Sequence, residues 1–383
     1  MRMHQQRTLG ISRAPGFGLV ELMIALALGT VIILGVTTLF SDSSRALNDI
    51  NRVGRQLENS LYAMDLLSKE IALVDYWGEA AAPISATDEE FGPLRPAEMG
   101  ELEVEPYPSA PPLCVGTGAT GVDPRIELGL AMEYPLLSGL GVDLNAALST
   151  GQCKGGGSTA SAVGAYVAIR RASTCAAVSP EQQEGAANSC RPLDDFYYLQ
   201  TNGCYNENAG LKGGEVRLRR AASDDYADVL DASAFCYPDQ PDSAVEVAPI
   251  YRFVSRIYYV NQSDQLVRLS LDEVGDIALG YQQEILVDGV EDLQFEWFID
   301  ETGDGQYNKV RTARTLMYED AANIIGAKIW LMVRNPRERP GYTDQTTYMV
   351  AGEEWTVPDG KASYPRTLQS RMVELPNRVA IRR

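Results

Sequence analysis

Histidine is all but absent from this sequence. The 383-residue chain has one, His4. Everything after it is therefore closed to Ser-His-Asp and Cys-His nucleophile systems and to histidine-ligated metals. Serine-lysine or paired-carboxylate chemistry survives that exclusion, but no motif points to either, and the chain reads as no enzyme. The six cysteines, Cys114, Cys153, Cys175, Cys190, Cys204 and Cys236, contain no C-x-x-C, which weakens zinc and thioredoxin readings. Positive charge is scarce, with 33 basic residues against 52 acidic ones and a formal net charge of −19. Duplex nucleic acid is not expected as the main ligand of such a surface. Proline is missing from residue 17 to residue 82, so nothing there must break a helix. From residue 17 to residue 40 charge is missing too, with Glu21 the one exception.

That apolar run is the chain's most informative stretch. As a helix, 24 residues at about 1.5 Å each reach roughly 36 Å, against about 30 Å of bilayer hydrocarbon. Arg2, Arg7 and Arg13 precede it with no acid among them. Positive flanks stay in the cytoplasm, so the remainder is expected outside the cytoplasm. A secretory signal would be cut after its apolar run. Here a glycine, Gly16, precedes the run, and cleavage after it would remove residues 1–16 and keep the helix. The remaining chain would have no histidine and 30 basic residues against 52 acidic ones, a formal −22. A carboxylate so near hydrocarbon is costly. Glu21 either snorkels to the headgroups or pairs with a cation. Cleavage would free such a cation, the α-amino group of Phe17 on a neighbouring chain.

Residues 41–78 keep helical periodicity. Leu47, Ile50, Leu57, Leu61, Met64, Leu67 and Ile71 step by three, four or seven, with charged residues mostly between them. One helix of about 60 residues is expected, its first half (17–40) in lipid and its second against a globular head. Residues 79–247 change character, with prolines crowding 106–112, a triple glycine at 155–157 and all six cysteines. Short strand-like runs fall at 163–171, 196–200 and 215–219, and the zone reads as a loop-rich elaboration. An even cysteine count in an exported domain favours disulfides over free buried thiols. Six cysteines allow fifteen pairings, and sequence neighbours, Cys175 with Cys190 and Cys204 with Cys236, are the pairs expected.

Residues 248–383 turn regular. Strands at 251–260 and 266–271 flank a five-residue turn. Leu293, Phe295, Trp297 and Ile299 alternate with Gln294, Glu296 and Phe298, giving one apolar face. Two more strands are expected at 327–334 and 346–350. The whole reads as α+β, an amphipathic helix on an antiparallel sheet. After the alternating strand, Asp300, Thr302, Asp304, Gln306 and Asn308 space oxygens like the first half of a calcium loop, although Arg311 stands where a closing glutamate would. The other reading is an Asp-Gly turn. Arg366, Arg371, Arg378, Arg382 and Arg383 form a basic cluster near the end, read as a solvated tail and the one nucleic-acid hint.

Two groups of residues carry a family resemblance. Gly16-Phe17-x-x-x-Glu21 with its apolar run resembles the class III signal of type IV pilins and type II secretion pseudopilins. Further on, Arg256-Ile257-Tyr258-Tyr259-Val260 with Leu266-Val267-Arg268, then 286–295 (LVDGVEDLQF), then 329–334 (IWLMVR), resemble the strands of PilW-type minor pilins. Leu375-Pro376-Asn377-Arg378-Val379 resembles that family's usual end in altered order. The resemblance implies the type IV pilin fold, cleavage after Gly16 by a prepilin peptidase, and N-methylation of Phe17. It also implies a subunit of low abundance in an inner-membrane priming complex and then at the extracellular pilus tip. Its partners there would be other minor pilins, the major pilin and a tip adhesin, with inner-membrane lipid around the helix before assembly. A J-type minor pseudopilin of type II secretion is the alternative. An adhesion or DNA-uptake module within residues 83–245 is compatible with either. No cofactor is implied; calcium is expected only if the 300–308 loop holds it.

Overall fold

The computed structural model describes residues 18–78, 112–118, 121, 124–132, 134–177, 196–201, 216–220, 250–274 and 277–379. The chain divides into two compact units, Met1–Arg55 and Gln56–Arg383. The described part of the first is one helix. That helix, α1 (Leu19–Ala72), runs on into the second unit. It stops short of the expected 60 residues because Asp75 takes a left-handed conformation (φ 64°), through which no helix continues. The chain's far end holds this stop in place. Asn377 Nδ2 donates to Val74 O at 3.0 Å, and Arg378 Nε sits 3.3 Å from the Asp75 carboxylate. Orphan carbonyls at a helix end need such partners when buried.

In the second unit α1 presents Gln56, Ser60, Ala63, Met64, Leu67 and Ile71 inward, all buried. The expected stripe is corrected at its start: Leu57 and Leu61 are 48% and 47% exposed. They lie one position round the helix from Gln56 and Ser60. Gln56 takes the inward place because its amide donates to Val333 O at 2.9 Å and to Thr367 Oγ1 at 3.1 Å, which satisfies a polar group that burial would otherwise penalise.

The expected single sheet is two, plus a small hairpin. The larger has seven strands: β1 (Leu136–Leu140), β2 (Ala165–Ala177), β3 (Tyr197–Thr201), β4 (Val216–Arg220), β5 (Ile250–Val260), β6 (Gln265–Val274) and β7 (Ile277–Asp288). β5 lies at its centre, antiparallel to β2 along one edge, and to β3 and then β6 along the other. The sheet therefore draws strands from both sides of residue 247, and the composition change there is no structural seam. The smaller sheet runs β13-β10-β8-β9, from β8 (Val290–Ile299), β9 (Lys309–Thr312), β10 (Ile324–Arg334) and β13 (Arg366–Glu374). β11 (Tyr348–Val350) and β12 (Glu353–Trp355) pair only with each other.

Both faces of the larger sheet are covered. Val167, Ile169, Tyr258 and Val260 face a core shared with α1 and with the apolar faces of β8 and β10. Leu293, Phe295, Trp297 and Ile299 are all fully buried there, and the rings of Phe295 and Trp297 stack at 5.1 Å. The alternate residues Tyr166, Ala168, Ile257 and Tyr259 face a second core, roofed by α2 (Pro124–Met132) and α3 (Gly141–Ser149). Three arginines fix these layers. Fully buried Arg170 donates to the carbonyls of Ala131, Tyr134, Pro112 and Leu113. Arg171 and Arg256 reach Glu70 of α1 at 3.2 and 2.5 Å.

Candidate functional site

Gly16 and Phe17 lie outside the described residues; the helix they precede does not. Leu19–Ser41 is long and apolar enough to cross a membrane, and none of it is buried by the rest of the chain. Its hydroxyls are satisfied within the helix. Thr30 donates to Ala27 O at 2.8 Å, Thr37 to Ile33 O at 2.9 Å and Thr38 to Gly35 O at 2.8 Å. That arrangement suits a solvent with no water to offer. Glu21 stands in the first turn, where one carboxylate oxygen accepts the Gly18 N–H at 3.0 Å. The negative group thus faces the positive end of the helix.

The 300–308 loop holds itself together. Asp300 is buried; its Oδ1 accepts from Thr302 N (3.1 Å), Thr302 Oγ1 (3.2 Å) and Gly303 N (2.7 Å), and its Oδ2 from Gly305 N (2.9 Å). Asp304 Oδ1 accepts from Gln306 N at 2.9 Å, and Asn308 Oδ1 from Glu301 N at 3.2 Å. Gly303 and Gly305 take φ of +76° and +80°, which glycine tolerates best. Of the five residues singled out from spacing, Asp300, Asp304 and Asn308 spend side-chain oxygens on protein N–H groups. Among the described residues no group of three acidic, cysteine or histidine side chains is placed to hold a metal ion.

Of the cysteines, Cys114 and Cys153 are joined, with Cα atoms 5.0 Å apart. The bond pins the 112–118 segment beside the chain that skirts β7, where Tyr281 N donates to Lys154 O at 2.6 Å. Gly155 is required at that crossing, because a Cβ there would lie 2.5 Å from Tyr281 O. Cys175, on β2, is disulfide-bonded as well. Cys190, Cys204 and Cys236 lie outside the described residues, and with them both expected neighbour pairs.

A buried ionic knot escaped sequence reasoning. Arg366, expected in a solvated tail, has a side chain with no exposure; it grips Glu291 through Nε (2.6 Å) and Nη2 (3.0 Å) and Asp344 through Nη1 (3.2 Å). Arg378 is buried too, correcting the basic-tail expectation for both; Arg371 stays partly exposed, and Arg382 and Arg383 are outside the described residues. Burial pushes the Asp344 carboxyl up, but donors from Thr346, Arg366 and Tyr348 outweigh it and hold the group below its usual range. Arg334 Nε joins the knot, 3.6 Å from Glu291 and 3.1 Å from Asp264 in the β5–β6 turn. Gly289 (φ +83°) completes it, donating to Asp264 O and accepting from Arg334 N, both at 2.8 Å.

With this geometry in view, the comparisons are specific. Residues 257–377, about a third of the chain, match the family model of the type IV pilus-assembly protein W. Residues 11–37 match the prokaryotic N-terminal methylation motif. Over residues 257–377 the chain is PilW-like, behind an amino-terminal methylation motif. A type IV-like pilin from Thermus thermophilus matches over 33% of this chain and 67% of its own, at 16% identity and a TM-score of 0.21. No curated protein matches. The PilW-like segment opens inside β5 and closes at the Asn377 contact with α1, and it contains the whole ionic knot. Glu291, Asp292 and Gln294 of its 286–295 run therefore have roles that spacing could not show. Glu291 anchors Arg366. Gln294 Nε2 donates to Val163 O at 2.9 Å, bracing β8 against the chain before β2. Asp292 is buried, accepts from Leu293 N (2.9 Å) and Gln294 Nε2 (3.1 Å), and is pushed by burial up to about 7.

Proposed function

We propose that this type IV pilus minor pilin works in an inner-membrane priming complex and then at the tip of the fibre. The observation that carries the proposal is the union, in one chain, of a methylation-motif apolar span bearing a single carboxylate with a PilW-like head. Cleavage after Gly16 by a prepilin peptidase would leave Phe17 with a methylated amine. Glu21 of a neighbouring subunit would pair with that amine in low dielectric and set the axial register of one helix against the next. In the free chain the Glu21 carboxylate is already turned to the helix start, so pairing needs no long side-chain excursion. Leu57 and Leu61, left half-exposed by the head, extend the same helix face available to other pilins. The head lies beyond the membrane in this reading. The W family is structural rather than catalytic, in keeping with a chain that after His4 has no histidine.

The test is Glu21→Ala in the full-length chain. Membrane insertion and head folding are expected to persist while pilus number falls steeply. Normal piliation by that variant would remove the assembly role. Pull-down of the tagged full chain is expected to return other minor pilins and a tip adhesin. Secretion components in their place would make it a J-type pseudopilin.

A further inference from the structure

Asp292 projects from the face of β8 opposite the shared core and meets a cavity of about 340 Å³, roughly ten times the ~30 Å³ share of one water. The other walls come from the rim of the larger sheet and from the β11–β12 hairpin. Asp292 is only 3% exposed. Both of its hydrogen bonds, from Leu293 N and Gln294 Nε2, go to Oδ1. Among the described residues no protein donor reaches Oδ2, and Asp292 lines the cavity, so this is the oxygen open to a ligand. A carboxylate so largely withdrawn from water gains from a cation beside it.

The remaining lining says what that partner is. Leu140, Val163, Val350 and Ala351 offer apolar walls, and Trp355 an aromatic one. Glu353 and Glu354 add negative charge at the mouth, where Arg314 sits 3.4 Å from Glu353 with both side chains more than half exposed. A cavity with apolar and polar walls and one open carboxylate oxygen fits a hydrocarbon stem with a compact positive head. A guanidinium fork would want two oxygens. An aromatic wall is favourable to a cation as well. We propose that this cavity binds the alkylammonium of a lysine side chain presented by a partner protein, with Asp292 Oδ2 as its acceptor. The site is independent of the helix-driven assembly read above and can be measured on the isolated full chain.

Binding then requires Asp292 ionised. Burial raises its pKa to about 7, and Glu291 and Glu353 add to the rise. The charged groups around it are Glu291 on its own strand, Glu353 and Glu354 of the hairpin, Arg314 after β9, and Arg366 of β13, which grips Glu291 and lies 5.7 Å from the Trp355 ring centre; Leu140 and Val163 bring none. Affinity is therefore expected to rise about tenfold from pH 6 to pH 8. The experiment is a ligand-observed NMR titration of the detergent-solubilised full chain with N-α-acetyl-lysine amide, beside its N-ε-acetylated counterpart. Saturable binding of the charged probe is expected, with at least a tenfold preference over the neutral one. Asp292→Asn should lose that preference and the pH dependence. Val163→Phe, which narrows the cavity without touching a charge, should weaken binding by a similar factor if Asp292→Asn proves unstable. No saturation at millimolar probe, equal binding of the two probes by the wild type, retention of the preference in folded Asp292→Asn, or undiminished binding by Val163→Phe would overturn the site. So would displacement of the probe by calcium at a lower concentration than by lysine amide, which would make it a metal site.

Discussion

At the scale of single residues, two aspartates of similar burial behave in opposite ways. Asp300 has donors on both oxygens, while Asp292 has donors on one. A folded-state pKa near 7, above an unfolded value of about 3.9, means that the protonated form is favoured by folding. That contribution is full below about pH 4 and is lost as pH rises to about 7. Asp292→Asn removes the dependence. Relative to wild type, the variant should gain about 1–3 kcal/mol between pH 5 and pH 8, read from urea unfolding at each pH; parallel profiles would contradict the assignment. Asp300→Ala strands three backbone N–H groups and should cost roughly 2–3 kcal/mol. On the turn reading that loss is the same with calcium or with chelator. A wild-type melting temperature raised by calcium, with Asp300→Ala unresponsive, would instead establish the cation loop.

At the scale of elements, α1 has two apolar faces with different duties. Leu67 is fully buried and Leu61 is 47% exposed. Leu67→Ala should destabilise the head by about 2–5 kcal/mol, whereas Leu61→Ala should stay within about 0.5 kcal/mol in unfolding and register instead as fewer pili. Equal losses of stability would mean that the head, not a neighbouring helix, covers Leu61. The distinction was hidden in sequence because both leucines fall on the same three-and-four stepping, and only Gln56 finding Val333 O decides how the helix turns. Strand β8 was legible since Leu293, Phe295, Trp297 and Ile299 alternate cleanly. The β5–β6 hairpin was legible from the polar turn between two apolar runs. β1, with Ser138 and Gly139 inside it, shows no alternation. β7 carries Gln282, Gln283 and Glu284 in succession, and β13 is an edge strand with mostly exposed side chains. The ionic knot was illegible for a different reason. Arg366 and Glu291 are 75 residues apart, and a charge reads as surface until its partner is known.

At the scale of the molecule, the described strands and helices of the cysteine-rich zone are part of the head's interior. β2 pairs with β5 from Tyr166↔Tyr259 to Ala177↔Ile250, bridging a long intervening segment before any contact rewards its closure. α2 and α3 cover the second core, and the Cys114–Cys153 bond spans 39 residues beside them. A chain-entropy estimate gives that cross-link about 4 kcal/mol. Two changes to this zone should therefore differ in kind. Cys114→Ala with Cys153→Ala should lower head stability by a few kcal/mol while leaving a folded, assembly-competent pilin at low temperature. Deleting residues 83–245 removes β1 through β4 and the covering helices at once, exposing Phe253, Ile257, Tyr259, Val267 and Leu269. That chain should insert through its helix, yet carry a head that proteases degrade and that supports no pili. Attachment lost while piliation stays normal in the deletion would mean that the remaining sheet folds alone, and that the zone is a detachable binding module. Protease resistance of the membrane-inserted deletion, measured beside pilus counts, separates the two, because only a head that depends on β2 for its central pairing fails both together.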